Sequence, residues 1–409
     1  MNSVCLAEKL YKSLGPELCR ILETISDCAH KYGYKVYIIG GVVRDLLLDK
    51  PVYDIDIVTE GSAIDFCRLG EQDKIWKITR ICEEFGTAKT AFPNGVEVDF
   101  ASTRLETYPK AGHLPLVEKT GCKLKEDILR RDFTVNALAL SLNKEDFGCV
   151  LDYTTGLKEI KTKELKILHN KSFIDDPTRI IRALRFQYKL NFRLEKETGR
   201  LRDEYLKSFD NNDICYERIK HVVKLAFNLN SPQLFDEFIS SGIYKLIGNP
   251  VRKCTGKGIF NTILKYEKEI NKQNIWLIWL ACLINSHQAE KFNFTGKEAK
   301  IINSVETLLQ TEIPTADNYE ICNIFNPHPA ESVISYIALT NSPQAEKYLT
   351  KLKNIKPFLT GKNLAKLGYK EGKITGAALD KIFREKVNGN IVTKEDEINL
   401  AKILLKQLK

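Results

Sequence analysis

The spacing of apolar residues changes once along this 409-residue chain, and that change limits what it can fold into. Between Val36 and Asp152 apolar residues come in short runs suited to strands, at 36–39, 55–58, 96–101, 135–141 and 150–153. Helical or glycine-bearing segments separate them. From about Phe173 onward they recur at helical spacing instead, as Ile180, Ile181, Leu184 and Tyr188, then Ile219, Val222, Val223 and Phe227. The pattern predicts an α+β protein, a small mixed α/β domain followed by helices. Breaks near 230–232, 248–258, 326–329 and 357–361 mark boundaries in the helical part, which shows no internal repeat or low-complexity tract.

The first strand-like run ends in Gly40-Gly41 and opens into the apolar segment Val42 to Leu48. A helix beginning there presents backbone N–H groups, and without Cβ atoms a phosphate can approach closely; Arg44 adds a positive charge. In Asp54-Ile55-Asp56-Ile57-Val58, strand alternation puts both carboxylates on one side and the isoleucines on the other. Two parallel carboxylates repel unless a cation lies between them, and hard oxygen ligands suit Mg²⁺. Asp54 and Asp56 are therefore the expected metal ligands. The run Val96-Glu97-Val98-Asp99-Phe100 repeats the alternation, with Glu97 and Asp99 on its polar face.

In this context Gly40-Gly41-x-x-Arg44-Asp45-x-Leu47-Leu48, followed by Asp54-x-Asp56, resembles the first motif of the class II tRNA nucleotidyltransferase and bacterial poly(A) polymerase family. Arg130-Arg131-Asp132-Phe133-Thr134-Val135-Asn136-Ala137-Leu138 is similar to its second motif, and Asp175-Asp176-Pro177-Thr178-Arg179 through Phe186 to the helix that follows. Asp175 stands where the family commonly has Glu. The resemblance implies a polymerase-β-like nucleotidyltransferase head over residues 1–167, a base-recognising helical neck over 168–229, a body over 230–345 and a tRNA-binding tail over 346–409. It also implies a third catalytic carboxylate beside Asp54 and Asp56, for which Asp99 is the candidate and Glu97 the alternative. Two metal ions would then activate the RNA 3′-hydroxyl and steady the leaving pyrophosphate. Arg130 and Arg131 are expected at triphosphate oxygens, Asp132 at the ribose 2′-hydroxyl, and Asn136 at a phosphate or in the loop. Asp176 and Arg179, three apart on one helix face, are expected to read the Watson–Crick edge of cytosine or adenine, with Arg182 and Arg185 continuing toward phosphates. Glu217-Arg218 is expected to be scaffolding beneath that helix.

The implied reaction is template-independent addition of the 3′-terminal CCA of tRNA from CTP and ATP, with Mg²⁺ as cofactor. Addition of only CC or only A is the nearest alternative; poly(A) synthesis and non-catalytic RNA binding are more distant. The segment Thr103 to Glu118 resembles the family's flexible loop, whose details separate these activities.

Charge placement agrees with a polyanionic partner. The formal net charge is +9, and residues 351–409 hold 14 Lys and Arg against 6 Asp and Glu, an excess of eight. The longest apolar run, near 275–284, is too short for a membrane span of about 20 residues, so a cytoplasmic protein is expected. The 11 cysteines form no Cys-x-x-Cys pair and none of the six histidines precedes Asp, which argues against a disulfide framework, a zinc knuckle or an appended phosphohydrolase site. Trp276 and Trp279, three apart on an apolar helix, read as core.

Overall fold

The computed structural model describes residues 4–52, 55–110, 112–209, 214–313, 317–370 and 372–407. The chain forms two compact units, Met1–Arg218 with Ser241–Leu246, and Ile219–Ser240 with Ile247–Lys409.

The first unit is built on a seven-stranded sheet. Helix α1 (Ala7–Tyr32) leads into it, broken at Gly15 (φ 74°), after which Pro16 restarts the helix where its missing N–H costs nothing. Gly33 closes α1 in the left-handed region (φ 71°) and turns the chain into β1 (Lys35–Ile39), buried along nearly its whole length. Then come α2 (Gly41–Leu47), β2 (Asp56–Glu60), α3 (Ala63–Gln72), β3 (Lys77–Cys82), β4 (Thr87–Ala91) and β5 (Glu97–Ser102). A separate antiparallel hairpin, β6 (Arg104–Thr107) and β7 (Leu116–Thr120), precedes α4 (Leu124–Leu129). The sheet is completed by β8 (Leu138–Ser141) and β9 (Val150–Asp152), giving the order β3-β4-β5-β2-β1-β8-β9. Within this sheet, among the described residues, only β2 and β5 run parallel and the other neighbours are antiparallel.

One sheet face packs Phe66, Trp76, Phe92 and Phe100 beneath α3. Gly70 is obligatory there, because a Cβ would lie 2.0 Å from the Trp76 ring. The other face packs Tyr37, Ile39, Val58, Leu124, Ile128, Ala137 and Ala139. Beyond the sheet lie α5 (Gly156–Thr162), α6 (Ser172–Asp175) and α7 (Thr178–Leu190).

The mixed α/β head and helical remainder follow the expected plan, with local corrections. The run at 135–141 is not one strand: Thr134–Asn136 is a 3₁₀ turn and the strand starts at Leu138. Asp132 drives the turn by accepting from the Phe133 N–H and from Asn136, a local alternative to ladder bonds. Strands β3, β4, β6 and β7 were not expected; β3 and β7 are largely exposed, so alternation does not mark them. The helix expected to run on from Asp175 is two helices, because Asp176 is extended (φ −141°) ahead of Pro177.

The second unit is helical. The helix Ile275–Ala281 is apolar on every side and buries Trp276 and Trp279 to 1% and 0% exposure, so both tryptophans are core. Near the C-terminus, the helices Gly361–Lys366, Lys373–Val387 and Lys394–Gln407 enclose Leu364, Tyr369, Ile382 and Ala401. The buried Glu397 carboxylate ties this cluster to the preceding chain, accepting from the Phe358 and Leu359 N–H groups (3.0 and 2.8 Å) and from Lys386 (2.6 Å). No helix among the described residues is long and apolar enough to cross a membrane.

Candidate active site

Sheet register brings the conspicuous residues of the sequence to one end of the first unit. In the antiparallel β1–β2 pair Ile38 faces Ile57, so the Gly40-Gly41 turn leaves the sheet where β2 enters at Asp56. In the parallel β2–β5 pair Asp56 and Asp99 are direct partners, while Ile57 and Phe100, the next pair, are buried. Both aspartates are exposed on the polar face. Glu97 sits opposite Ala91 of β4, two residues behind, so Asp99 is the acid beside Asp56. Lys89 approaches Asp99 at 3.2 Å and Glu97 at 3.4 Å; its bond to Asp99 leads the causes that hold its ammonium above the ordinary lysine range. Asp54, the other expected ligand, lies outside the described residues. Among the described residues no three His, Cys, Asp or Glu side chains gather as a metal cluster. The adjacent Asp56 and Asp99 fit a divalent cation by their chemistry: two hard oxygen donors side by side, with a cationic side chain already drawn to one of them.

At the glycine turn, Gly40 takes a φ of 83° that disfavours any side chain. A Cβ there would meet Arg131 Nη1 at 3.4 Å, and one on Gly41 would meet Arg44 Nη2 at 3.2 Å, so both guanidiniums crowd the turn. Arg44 is buried, forks onto the Asp45 carboxylate (2.9 and 3.0 Å) and donates to Asn136 Oδ1. The expected loop role of Asn136 is thereby specified, since its amide also donates to Asp132 (3.0 Å).

Asp132 joins the two motifs. Besides Phe133 and Asn136, it receives Arg182 through Nε (2.9 Å) and Nη2 (2.5 Å). Burial pushes its carboxyl up, but Arg182 and these hydrogen bonds outweigh that and hold it below the usual carboxylate range. The phosphate-directed stripe is corrected accordingly: Arg182 is turned onto Asp132, because an unpaired buried carboxylate would be costly. Arg185 remains. Its Nε is buried with no hydrogen-bond partner, and burial, Arg182 and Arg44 together lower its proton affinity. Arg44, Arg185 and Arg182 lie 5.2, 5.4 and 5.7 Å from the centroid of the Phe186 ring.

The two arginines expected at triphosphate oxygens separate in the same way. Arg130 is consumed by two buried carboxylates, Asp127 of α4 (2.6 Å) and Glu106 of β6 (2.9 Å). Arg131 keeps one contact to Asp127 (3.1 Å) and has a buried Nε without a partner. Of the two, Arg131 is the one whose guanidinium reaches the glycine turn. Neither Asp127 nor Glu106 was singled out from the sequence, although Asp127 lies three and four residues before the arginines, the spacing of a helical ion pair.

Asp176 and Arg179 do not share a continuous helix face. Asp176 precedes α7 and caps it, Oδ1 accepting from Thr178 N–H (3.1 Å) and Oγ1 (2.6 Å), while Oδ2 accepts from Arg218 (2.5 Å). Arg218, expected as scaffolding, thus contacts Asp176 directly. Arg179, 3% exposed, donates to Ser172 Oγ (2.7 Å), the Arg130 carbonyl (2.9 Å) and the Tyr108 hydroxyl (3.2 Å). Asp175 ends α6, 3.8 Å from His169.

Comparison with known proteins agrees with this geometry. Residues 36–166 match the poly A polymerase head domain. A Geobacter sulfurreducens protein named A-adding tRNA nucleotidyltransferase is 29% identical over 90% of this chain, which spans only 44% of that relative's length. A Halalkalibacterium halodurans protein of the same name is 26% identical, covering 97% of this chain and 95% of its own. A solved CCA-adding enzyme in complex with ATP superposes with a TM-score of 0.80 at 25% identity, covering 99% of this chain and 96% of the other.

Proposed function

Because this chain belongs to the nucleotidyltransferase family that carries the poly A polymerase head domain, we propose that it transfers nucleotides from ATP and CTP to the 3′ end of tRNA without a nucleic-acid template. The observation that carries this reading is the pairing of Asp56 with Asp99 at the end of the sheet where Gly40 and Gly41 turn.

Asp56 and Asp99, with Asp54, would hold Mg²⁺, which when bound supplies positive charge to acidify the attacking 3′-hydroxyl and offset the charge on the leaving pyrophosphate. Gly40 and Gly41 admit the triphosphate to the turn. Arg131 and Arg185, each with a buried unsatisfied Nε, offer its oxygens donors at no cost in broken ion pairs. Asp132, whose acceptor positions are filled by the Phe133 N–H, Asn136 and Arg182, would meet the ribose 2′-hydroxyl in exchange for one of those donors. Asp176 would offer the base edge an acceptor, and Arg179 the N–H groups that Ser172, Tyr108 and the Arg130 carbonyl leave over. The exocyclic amines of cytosine and adenine can meet that acceptor, whereas uracil and guanine present no amine at the same place. Residues 1–167 would act as head, 168–229 as neck, 230–345 as body and the basic 346–409 as the tRNA-binding tail.

Complete CCA addition is the reading in which Asp176 and Arg179 accept both bases. Addition of the terminal A alone is favoured by a specific observation: the two relatives that align over 90% and 97% of this chain are named A-adding. Transfer of A onto a tRNA ending in CC is common to both. The test supplies CTP or ATP singly to tRNAs ending before CCA, after C and after CC. Incorporation of ATP only on the CC end assigns the A-adding activity; stepwise CTP then ATP assigns the complete one; no incorporation on any end overturns the proposal.

A further inference from the structure

Two free cysteines of the first unit meet across strands. Cys5, in the segment before α1, lies opposite Cys149 in an antiparallel bridge at the head of β9, the last strand of the sheet. Backbone bonds flank the pair on either side: the Leu6 N–H donates to the Gly148 carbonyl (2.7 Å) and the Val150 N–H to the Val4 carbonyl (2.8 Å). Cys149 donates its own N–H to the Asp146 carbonyl and accepts at its carbonyl from Ser141, so neither group is spent on Cys5. This is the narrow, non-hydrogen-bonded kind of antiparallel pair, in which Cα atoms stand about 4.5 Å apart and the two side chains leave the same face. A disulfide spans Cα separations of about 4.4–6.8 Å. Gly148 (φ 80°) permits the close approach, since a Cβ there would lie 2.7–2.9 Å from Ala7. Burial first, and then the Cys5 thiol, push the Cys149 thiol above its ordinary value, as expected of side chains that face one another.

We propose that Cys5 and Cys149 form a reversible disulfide, a redox clasp that fastens the segment before α1 to the edge of the sheet. The two residues are 144 positions apart, so no short cysteine spacing announces them. The oxidant is a small-molecule disulfide. The thiolate of Cys5, the exposed partner, attacks one of its sulfurs and displaces the other half as a thiolate, leaving a mixed disulfide on Cys5. Cys149 gives up its proton, attacks the Cys5 sulfur and expels the second half. The reagent's S–S bond is reduced to two thiols, which take up the two protons and two electrons that the protein thiols lose. Because Cys5 is exposed, a small thiol can run the same exchange backwards. In the reduced protein the bridge rests on its two backbone hydrogen bonds. The oxidised protein closes a long loop, and the stabilisation gained by restricting the unfolded chain grows with loop length.

The experiment equilibrates the full chain with graded ratios of oxidised to reduced glutathione, alkylates the remaining thiols and maps the peptides by mass. Oxidation should remove two of the 11 thiols and yield the Cys5 and Cys149 peptides joined with the loss of two hydrogens. The thermal midpoint should rise by about 5–10 °C and return when dithiothreitol is added. Exchange of the Leu6 and Val150 amides should slow in the oxidised form. Cys5→Ser, a substitution at an exposed position, should melt with the reduced wild type and show none of these changes in any glutathione mixture. Eleven thiols surviving the most oxidising mixture, a glutathione adduct that persists on Cys5 without ring closure, or a crosslink to another cysteine overturns the pairing. A Cys5–Cys149 crosslink that leaves both midpoint and amide exchange unmoved overturns the clasp.

Discussion

The two sides of the first unit are finished to different degrees. On the sheet side, Asp56 and Asp99 stand exposed, and the lysine at Asp99 is itself partly open to water. On the helix side, Asp132, Asp176 and Arg179 are 8%, 6% and 3% exposed, and each is held by several hydrogen bonds within the protein. An exposed acid pair suits a ligand that arrives hydrated and exchanges quickly. A buried, interlocked set suits recognition, where orientation must be fixed before the ligand arrives. Substitutions on the first side should therefore remove chemistry and leave the fold, whereas those on the second should disturb both.

The largest expected effect is on chemistry. Asp56→Ala or Asp99→Ala should lower nucleotide incorporation by about 10³-fold or more, since a metal ligand is worth several kcal/mol in the transition state. Thermal midpoint and tRNA affinity should barely change. Incorporation within tenfold of wild type in a single-turnover assay would erase the distinction between the two sides.

Asp132→Asn probes the other side and should cost about 3–5 kcal/mol in urea unfolding at pH 7, the scale for breaking a buried ion pair. The sign of its pH dependence follows from the lowered folded-state value. The stabilisation is fully present above the unfolded carboxyl value of about 4 and is lost as pH falls through the lower folded value. In Asp132→Asn the acid limb of the stability profile should flatten.

Arg185→Met sharpens the comparison, because here function and stability should move in opposite directions. Removing a cation crowded by Arg182 and Arg44, with a buried unsatisfied Nε, should raise the thermal midpoint by a few degrees. Triphosphate affinity should fall about tenfold for all nucleotides alike, on the scale of one charge-assisted contact. Equal affinity in equilibrium titration would remove Arg185 from the phosphate site.

The smallest effect is expected in the second unit. Lys362, Lys366 and Lys370 have no ion-pair partner among the described residues. Replacing all three by Gln should weaken tRNA binding several-fold and reduce its salt slope by about one for each phosphate that a lysine no longer neutralises. An unchanged slope would make them an ordinary solvated face.

What the sequence displays directly is local. The glycine turn, the alternating carboxylates of β2 and β5 and the buried tryptophans are short-range patterns with a fixed period. Alternation assigns Asp99 to the correct face, but its pairing with Asp56 depends on a parallel register that alternation does not encode. The ion pair of Asp132 with Arg182 spans 50 positions, and its effect is to turn an expected phosphate ligand into a clamp. The division of labour between Arg130 and Arg131 is hidden similarly, since it depends on Glu106 arriving from a hairpin with no apolar alternation. Asp176 departs from expectation for a different reason: the restriction on a residue before proline, present in Asp176-Pro177, prevails over the helical spacing that follows it.

Phe186 would pass, by volume and burial, for one more core residue of α7. Ringed by three guanidiniums, it is also a source of negative potential, because the face of an aromatic quadrupole attracts cations that would otherwise repel one another. Leucine would fill much of the same space and supply none of that attraction. At this position hydrophobicity and shape are not sufficient descriptors of what the fold requires; the electron distribution of the side chain belongs among them.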